Sequence, residues 1–306
     1  MKENTKKRKG TKKQKITKKN ARKMTEEKWE SLTLGNSFIF SKVMLNEELC
    51  KKTIQELLDI PLIDYIEYID VEKTIDIRID SKSVRLDVYI KDDKGTFFNL
   101  EMQVRDTKEL SQRARYYQSI TDLDMLEKGQ EYDEIADSYI IFLCREDVFK
   151  RGLYRYTFEN TCQEMPDVKL DDGVRKVFLN TKGTIGQLSE DAKGLLDYIE
   201  GKKSENTFVG QLEAEVAVVK SNKKWRAEYV KQYANDRVKF KEGKAEGIAE
   251  GRIEGKAEGR EEGIGKTIRI MRALTINDDV IAEKIKEEFE LSDEDVQEFF
   301  TKATKG

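Results

Sequence analysis

The sequence predicts an α/β protein with a mixed sheet, flanking helices and a long helical extension toward the C-terminal end. Three observations predict this class. Alternating apolar residues on both sides of Gly95 indicate a β-hairpin, and the apolar run SYIIFLC of residues 138–144 indicates a central strand. A repeat of glutamate and glycine begins at Glu242 and indicates the helical extension. Hairpin strands, a buried strand and amphipathic segments together are typical of a mixed sheet covered by helices.

The predicted hairpin lies between Val84 and Val104 and reads VRLDVYIKDDKGTFFNLEMQV. Its loop ends at Gly95, where we expect the left-handed conformation of a three-residue bulged turn. The register that this loop sets pairs Asp87 with Glu101 and brings the Gln103 amide onto the same face. A slip of one residue would separate these side chains.

Two carboxylates held side by side on a sheet repel each other, so they are protonated, solvated or bridged by a cation. A hard divalent ion such as Mg²⁺ takes oxygen ligands and commonly binds through one or two carboxylates together with substrate phosphates. The pair Asp87 and Glu101 therefore points to phosphodiester chemistry. The alternative, on residue types alone, is the solvated outer face of an ordinary hairpin.

The spacing of apolar residues predicts the remaining elements of the first two thirds of the chain. Beyond Phe208 the pattern becomes almost wholly helical. The predicted elements are helices over residues 27–56, 108–128 and 187–199, one strand or two with a break over residues 66–79, and strands over residues 138–144, 154–158 and 174–179.

Composition excludes several classes of site. The 306 residues contain no histidine, which removes Ser-His-Asp and Cys-His nucleophiles and His-ligated zinc. The three cysteines are widely spaced and indicate neither a disulfide framework nor a zinc knuckle. A phosphate-binding loop that ends in Gly265-Lys266-Thr267 would need glycine at position 260, which is arginine, so we expect no nucleotide cofactor. No run of about twenty apolar residues occurs, so we expect a cytoplasmic protein without a membrane partner.

Charge is segregated along the chain. Residues 1–23 carry twelve Lys or Arg and one acid, Glu3, a net charge of about +11, whereas the rest, with 45 basic and 59 acidic residues, carries about −14. We interpret residues 1–25 as a disordered basic arm that gathers phosphates through counterion release. A solubilising or variable tail is the alternative.

The repeat places Glu before Gly at every fourth residue from Glu242 to Gly263. Four residues advance about 400° on a helix, so the glycine stripe turns slowly around the axis. Each Gly costs about 1 kcal/mol relative to Ala, so the repeat predicts either a partner helix, as in a homo-oligomer, or a flexible helical linker. We assign residues 205–265 to a helical extension and residues 266–306 to a small helical tail.

The pattern of Asp87, thirteen residues and then Glu101-Met102-Gln103 resembles the catalytic core of the PD-(D/E)XK nuclease superfamily. Residues 85–89, RLDVY, and residues 113–119, RARYYQS, make it similar, more narrowly, to the Rpn family of recombination-promoting nucleases, which also carries the label transposase. The likeness extends from about Leu34 through the LNTKGT of residues 179–184 into the repeat.

This resemblance implies a restriction-endonuclease-like core over residues 26–204 and metal-dependent hydrolysis of DNA by an endonuclease. Mg²⁺ is the implied cofactor, Mn²⁺ could substitute for it, and DNA is the implied substrate. A protein of the same fold that binds DNA or assembles without cleaving it is the alternative. That alternative is motivated by Asn36 and Gln103, which stand at two positions that are usually charged.

The family pattern also implies roles for individual residues. Asp87 and Glu101 would hold the metal ion and, with Gln103 in the place of the usual lysine, form the catalytic set. Asn36 replaces an acid at the start of the first helix and could add a weak ligand through its carbonyl oxygen. The residues that would lean toward the site and position DNA or phosphate are Arg113 and Gln118.

Overall fold

The chain forms two compact units, which divide between Val230 and Lys231. The first unit combines a sheet with helices, and the second is helical. The predicted basic arm and the end of the segment predicted as strand, residues 76–79, lie outside the described residues. The computed structural model describes residues 26–75, 84–104, 108–126 and 129–304.

Among the described residues of the first unit, six strands form a mixed sheet, which confirms the predicted fold class. They are β1 (Ile66–Ile75), β2 (Val84–Asp92), β3 (Phe97–Gln103), β4 (Ser138–Cys144), β5 (Arg155–Phe158) and β6 (Val174–Asn180). The order across the sheet is β1-β2-β3-β4-β6-β5. The β1-β2, β2-β3 and β5-β6 pairs are antiparallel, whereas β4 runs parallel to both β3 and β6. Strand β4 therefore lies in the interior of the sheet, the central position predicted for residues 138–144, and its continuous apolar run is typical of a strand in a sheet covered on both faces.

Helices pack against this sheet. They are α1 (Ser37–Val43), α2 (Glu47–Leu58), α3 (Leu110–Met125), α4 (Glu190–Ile199) and α5 (Thr207–Ser221). Helix α1 contacts β1, β2 and β3, and α3 contacts β4. Polar side chains cap four of these helices by accepting hydrogen bonds from backbone N–H groups of the first turn. The capping residues are Asn36, Asn46, Ser189 and Asn206.

The hairpin of β2 and β3 has the register that its turn predicts. Gly95 has φ of 82°, the left-handed conformation that glycine adopts without strain. Ile90 pairs with Phe98, as the three-residue loop requires. The regular backbone pairs of β2 with β3 extend only as far as Val88 and Leu100. Asp87 and Glu101 therefore lie one residue past the last pair.

Strand β1 contains one residue in the left-handed backbone conformation. Glu72 has φ of 59°, which an L-residue other than Asn or Asp rarely adopts, and such conformations cost about 1–3 kcal/mol. Its neighbours Val71 and Lys73 pair with the residues that follow and precede Asp87 in β2. Glu72 is therefore placed across from Asp87.

The first compact unit includes residues 205–230, the first part of the predicted helical extension. Helix α5 buries Phe208 and other apolar residues. Tyr229 is also buried, and its ring lies 5.4 Å from the rings of both Trp29 and Phe38. Residues 205–230 thus belong to the compact first unit.

The second unit has a small apolar core of its own. The long helix α6 (Lys223–Ala273) contains the repeat, and α7 (Asp278–Phe289) and α8 (Asp293–Thr304) follow it. Residues 241–262 are exposed, and among the described residues a Cβ added to any glycine of the repeat would meet no atom within 4 Å beyond the adjoining residues and backbone of its own helix. Association of copies through the repeat stays a prediction. Across the described ranges, no helix has both the length and the apolar character needed to cross a bilayer. The buried core residues of this unit are Ile264, Ile268, Ile281, Ile285 and Val296.

Candidate active site

Asp87 and Glu101 lie side by side where the pairing of β2 with β3 ends. The backbone N–H of Asp87 donates to Glu101 Oε1 at 3.0 Å, and the backbone N–H of Met102 donates to Asp87 Oδ2 at 3.0 Å. Each carboxylate therefore accepts a hydrogen bond from the backbone of the opposite strand. The structure brings together the two acids that the turn register pairs.

Burial shifts the acid-base equilibrium of both carboxyl groups. Glu101 is 4% exposed, and burial followed by repulsion from Asp87 holds its pKa well above the usual value. Burial likewise raises the pKa of Asp87 to about 6, although the Met102 N–H and the charge of Arg85 oppose the shift. Without a cation, the pair therefore resists carrying two negative charges.

Arg113 of helix α3 ties three groups of the site together. Its Nη1 donates to Gln103 Oε1 at 2.8 Å and its Nη2 donates to Tyr117 Oη at 2.9 Å, while Nη2 lies 3.7 Å from Glu101 Oε2. The guanidinium carbon lies 5.5 Å from the centre of the Phe142 ring. These contacts place Arg113 at the site, toward which the family pattern predicts that it points. Its hydrogen bond to Gln103 fixes the orientation of that amide.

Gln118 is placed apart from these groups. Its Nε2 donates to Ser138 Oγ at 2.7 Å and to Asp122 Oδ1 at 2.6 Å. Ser138 pairs with Phe97, which precedes Glu101 by four residues in β3, a separation of about 13 Å along a strand. A role for Gln118 in holding DNA or phosphate stays a prediction.

The side chain of Asn36 caps a helix. Its Oδ1 accepts a hydrogen bond from the backbone N–H of Ile39 at 3.3 Å and caps helix α1. The oxygen that the sequence assigned as a weak ligand therefore already has a structural partner. Among the described residues, no group of three or more His, Cys, Asp or Glu side chains is arranged to hold a metal ion.

Three charged residues that the sequence did not assign to the site form a cluster beside Asp87. Arg85 Nη2 lies 3.2 Å from Glu72 Oε1, and Lys42 Nζ lies 3.5 Å from Glu72 Oε2. The only sequence signal for Arg85 is its position two residues before Asp87. Glu72 and Lys42 had no such signal, because a left-handed residue in β1 and the packing of α1 place them.

The two carboxylates keep oxygen atoms that a cation could use. Asp87 Oδ1 and Glu101 Oε2 accept no hydrogen bond from the described part of the chain, although Arg113 lies 3.7 Å from the latter. Carboxylate oxygens are the donors that hard divalent ions prefer. The burial and mutual repulsion of the pair are also what a bound cation would relieve. The residues present fit a divalent cation.

The comparisons with known proteins concern the region that contains this site. Residues 36–180 match the model of a PD-(D/E)XK nuclease family transposase. No curated protein and no solved structure matches the chain significantly. The matched residues include all six strands of the sheet and both acids of the hairpin. Over residues 36–180 the chain is therefore similar to the PD-(D/E)XK nuclease family.

Proposed function

We propose that the protein is a divalent-metal-dependent endodeoxyribonuclease that hydrolyses phosphodiester bonds at the Asp87 and Glu101 pair. The observation that carries this proposal is the exchange of hydrogen bonds between the two strands, which fixes the buried Glu101 carboxylate beside the half-buried Asp87 carboxylate. The family match over residues 36–180 supports a more general function, that of a nuclease or transposase-like domain. The metal requirement and the choice of DNA belong to the proposal.

Asp87 and Glu101 would hold the ion, most simply Mg²⁺, with Mn²⁺ as a substitute. A bound Mg²⁺ lowers the pKa of coordinated water and neutralises charge on a phosphate. The chain supplies two rigid strands that keep both carboxylates in place before substrate arrives. Fixed ligands of this kind need little rearrangement during the reaction.

Gln103 and Arg113 would orient the reactants around this pair. Arg113 donates to the Gln103 carbonyl oxygen, so the Gln103 amide presents its N–H groups in a fixed direction. An amide can orient a water molecule or a phosphate oxygen by hydrogen bonding, but it adds no positive charge. Positive charge near the site comes instead from Arg113 and Arg85, which both lower the pKa values of the two acids.

DNA as the substrate is supported by charge as well as by family. The first 23 residues carry twelve Lys or Arg, enough to contact several phosphates without reading sequence. We propose that this segment raises affinity for nucleic acid while the carboxylate pair performs the hydrolysis.

The test is cleavage of supercoiled plasmid by purified protein with Mg²⁺ and with chelator. We expect metal-dependent nicking or linearisation by the wild type, and a loss of at least about 100-fold in Asp87→Asn and Glu101→Gln. Asp70→Asn, which changes an acid on the neighbouring strand β1 of the same sheet, should leave the rate unchanged. Equal Mg²⁺-dependent activity in all four proteins would reject the assigned site.

A DNA-binding or assembly protein that does not cleave is the second candidate. It is favoured by the engagement of Asn36 as a helix cap and by an uncharged residue at Gln103. This candidate predicts DNA binding without turnover and no affinity for Mg²⁺ or Mn²⁺ at millimolar concentrations. Measurable metal affinity that depends on Asp87 would favour the enzyme.

A further inference from the structure

A compact cluster of charges, formed by Arg85, Glu72 and Lys42, lies next to the carboxylate pair. Glu72 lies between two cations, with Arg85 Nη2 at 3.2 Å from one oxygen and Lys42 Nζ at 3.5 Å from the other. Lys42 also donates to Glu228 Oε1 at 2.9 Å. The pairing of β1 with β2 places Glu72 across from Asp87, so this cluster adjoins the proposed site.

The three members of the cluster differ in their access to solvent. The side chains of Lys42 and Glu72 are 7% and 15% exposed, whereas the side chain of Arg85 is 43% exposed. A cation that meets a solvent-borne ligand must reach solvent, and only Arg85 does so to this degree. Glu72 pairs with Arg85, and Lys42 pairs with Glu72, so the two less exposed residues hold the Arg85 side chain in place.

The backbone of Glu72 is consistent with such a supporting function. Its φ of 59° is unfavourable for glutamate, and conformations of this kind persist where the surrounding structure holds them. The ion pairs with Arg85 and Lys42 act at this residue. These two ion pairs stabilise the position of the Glu72 carboxylate.

Arg113 is less suited to receive a ligand than Arg85. Its Nη1 and Nη2 donate to Gln103 and Tyr117, and its guanidinium lies over the Phe142 ring. These contacts fix Arg113 as a positioning residue for Gln103 and Glu101. The Arg85 side chain, in contrast, is 43% exposed, and its charge lowers the pKa of both carboxyl groups of the pair.

We propose that Arg85, anchored on Glu72 beside Asp87, binds a phosphodiester oxygen of DNA at the proposed nuclease site. Guanidinium groups match the geometry of phosphate oxygens through parallel N–H donors. Arg85 thus supplies a positive charge that Gln103 lacks. This inference rests on the proposed function for the identity of the ligand, but binding and cleavage test it separately.

The test measures DNA affinity in an Asp87→Asn background, which is cleavage-deficient under the proposed function, with EDTA over a series of salt concentrations. Adding Arg85→Gln should weaken binding about threefold to tenfold and reduce the slope of log affinity against log salt by about 0.9. Arg85→Lys should restore most of the slope. The matched control is Lys91→Gln at the other end of β2, where Lys91 pairs with Glu67 at 2.7 Å; it should change neither quantity.

Cleavage kinetics separate this inference from the proposed function. If the wild type cleaves DNA, Arg85→Gln should raise KM more than it lowers kcat, with the fold retained by circular dichroism. If no protein cleaves DNA but the salt slope still falls with Arg85→Gln, the phosphate inference stands and the nuclease proposal fails. Unchanged affinity and slope in Arg85→Gln, or no DNA binding by the parent protein, would overturn the inference.

Discussion

Glutamate occurs in two opposite settings in this protein. Glu101 is 4% exposed and shares its surroundings with Asp87, whereas the six glutamates of the repeat in α6 are all exposed. Glu101 is constrained by a strand on either side, and burial with a like charge raises its pKa. The comparison teaches that burial beside a second acid, and not the presence of glutamate, distinguishes a candidate active site from a solvated helix surface.

The largest expected difference between the two settings is in pH-dependent stability without metal. Because the folded-state pKa of Asp87 is raised from 3.8 to about 6, the protonated carboxyl favours the fold fully below pH 3.8, and this stability is lost as the pH rises through about 6. Asp87→Asn cannot ionise and keeps an acceptor for the Met102 N–H. Relative to wild type, we expect it to gain about 2–3 kcal/mol of unfolding free energy between pH 4 and pH 8.

Urea unfolding in EDTA across that pH range measures this gain. Glu250→Gln in the repeat is the control and should show no comparable pH-dependent gain. A constant difference between Asp87→Asn and wild type at every pH would show that the Asp87 carboxyl is not perturbed by burial.

A smaller effect is expected where the buried acids lose their nearest cation. Arg113→Met removes two hydrogen bonds and the charge 3.7 Å from Glu101 Oε2. We expect a loss of about 1–3 kcal/mol at pH 8, and less at pH 5, where protonated carboxyl groups need the cation less. Arg115→Met changes an exposed arginine of the same helix and should be nearly neutral. If both variants lost the same unfolding free energy at both pH values, Arg113 would not stabilise the buried acids.

The smallest effect concerns the repeat. Gly247 is exposed in the middle of α6, and within the described structure an added Cβ would meet no atom within 4 Å beyond the adjoining residues and backbone of its own helix. Gly247→Ala should therefore stabilise the helix by about 0.5–1 kcal/mol. Gly183→Ala is the contrasting variant, because its Cβ would lie 2.5 Å from the Tyr154 Cα and should cost about 1–3 kcal/mol. Thermal melts followed by circular dichroism measure both changes. Destabilisation by Gly247→Ala would indicate that a partner occupies the glycine stripe.

Local interactions explain which parts of the fold and the site could be predicted from sequence. The turn at Gly95 fixes the register of β2 and β3 through a few neighbouring residues, so the juxtaposition of Asp87 and Glu101 could be derived. The apolar run of β4 likewise predicted a central strand. The inclination of Arg113 toward the pair followed from the family resemblance.

Long-range packing explains what the sequence did not give. The position of Glu72 depends on a left-handed residue within β1, and alternation of apolar residues contains no sign of it. The burial of Tyr229 against Trp29 brings chain segments 200 residues apart into contact, so the extent of the first unit could not be read from the repeat alone. Gln118 was assigned by family pattern, but its contacts with Ser138 and Asp122 depend on how α3 lies on the sheet.

The central claim is that the Asp87 and Glu101 carboxylates together hold a divalent cation. Calorimetric titration with Mn²⁺ at pH 8 tests it most directly, using wild type, Asp87→Asn, Glu101→Gln and the control Asp70→Asn. We expect saturable binding in the wild type and in Asp70→Asn, with affinity reduced at least about tenfold in each site variant. Binding of equal affinity and stoichiometry in all four proteins would contradict the account.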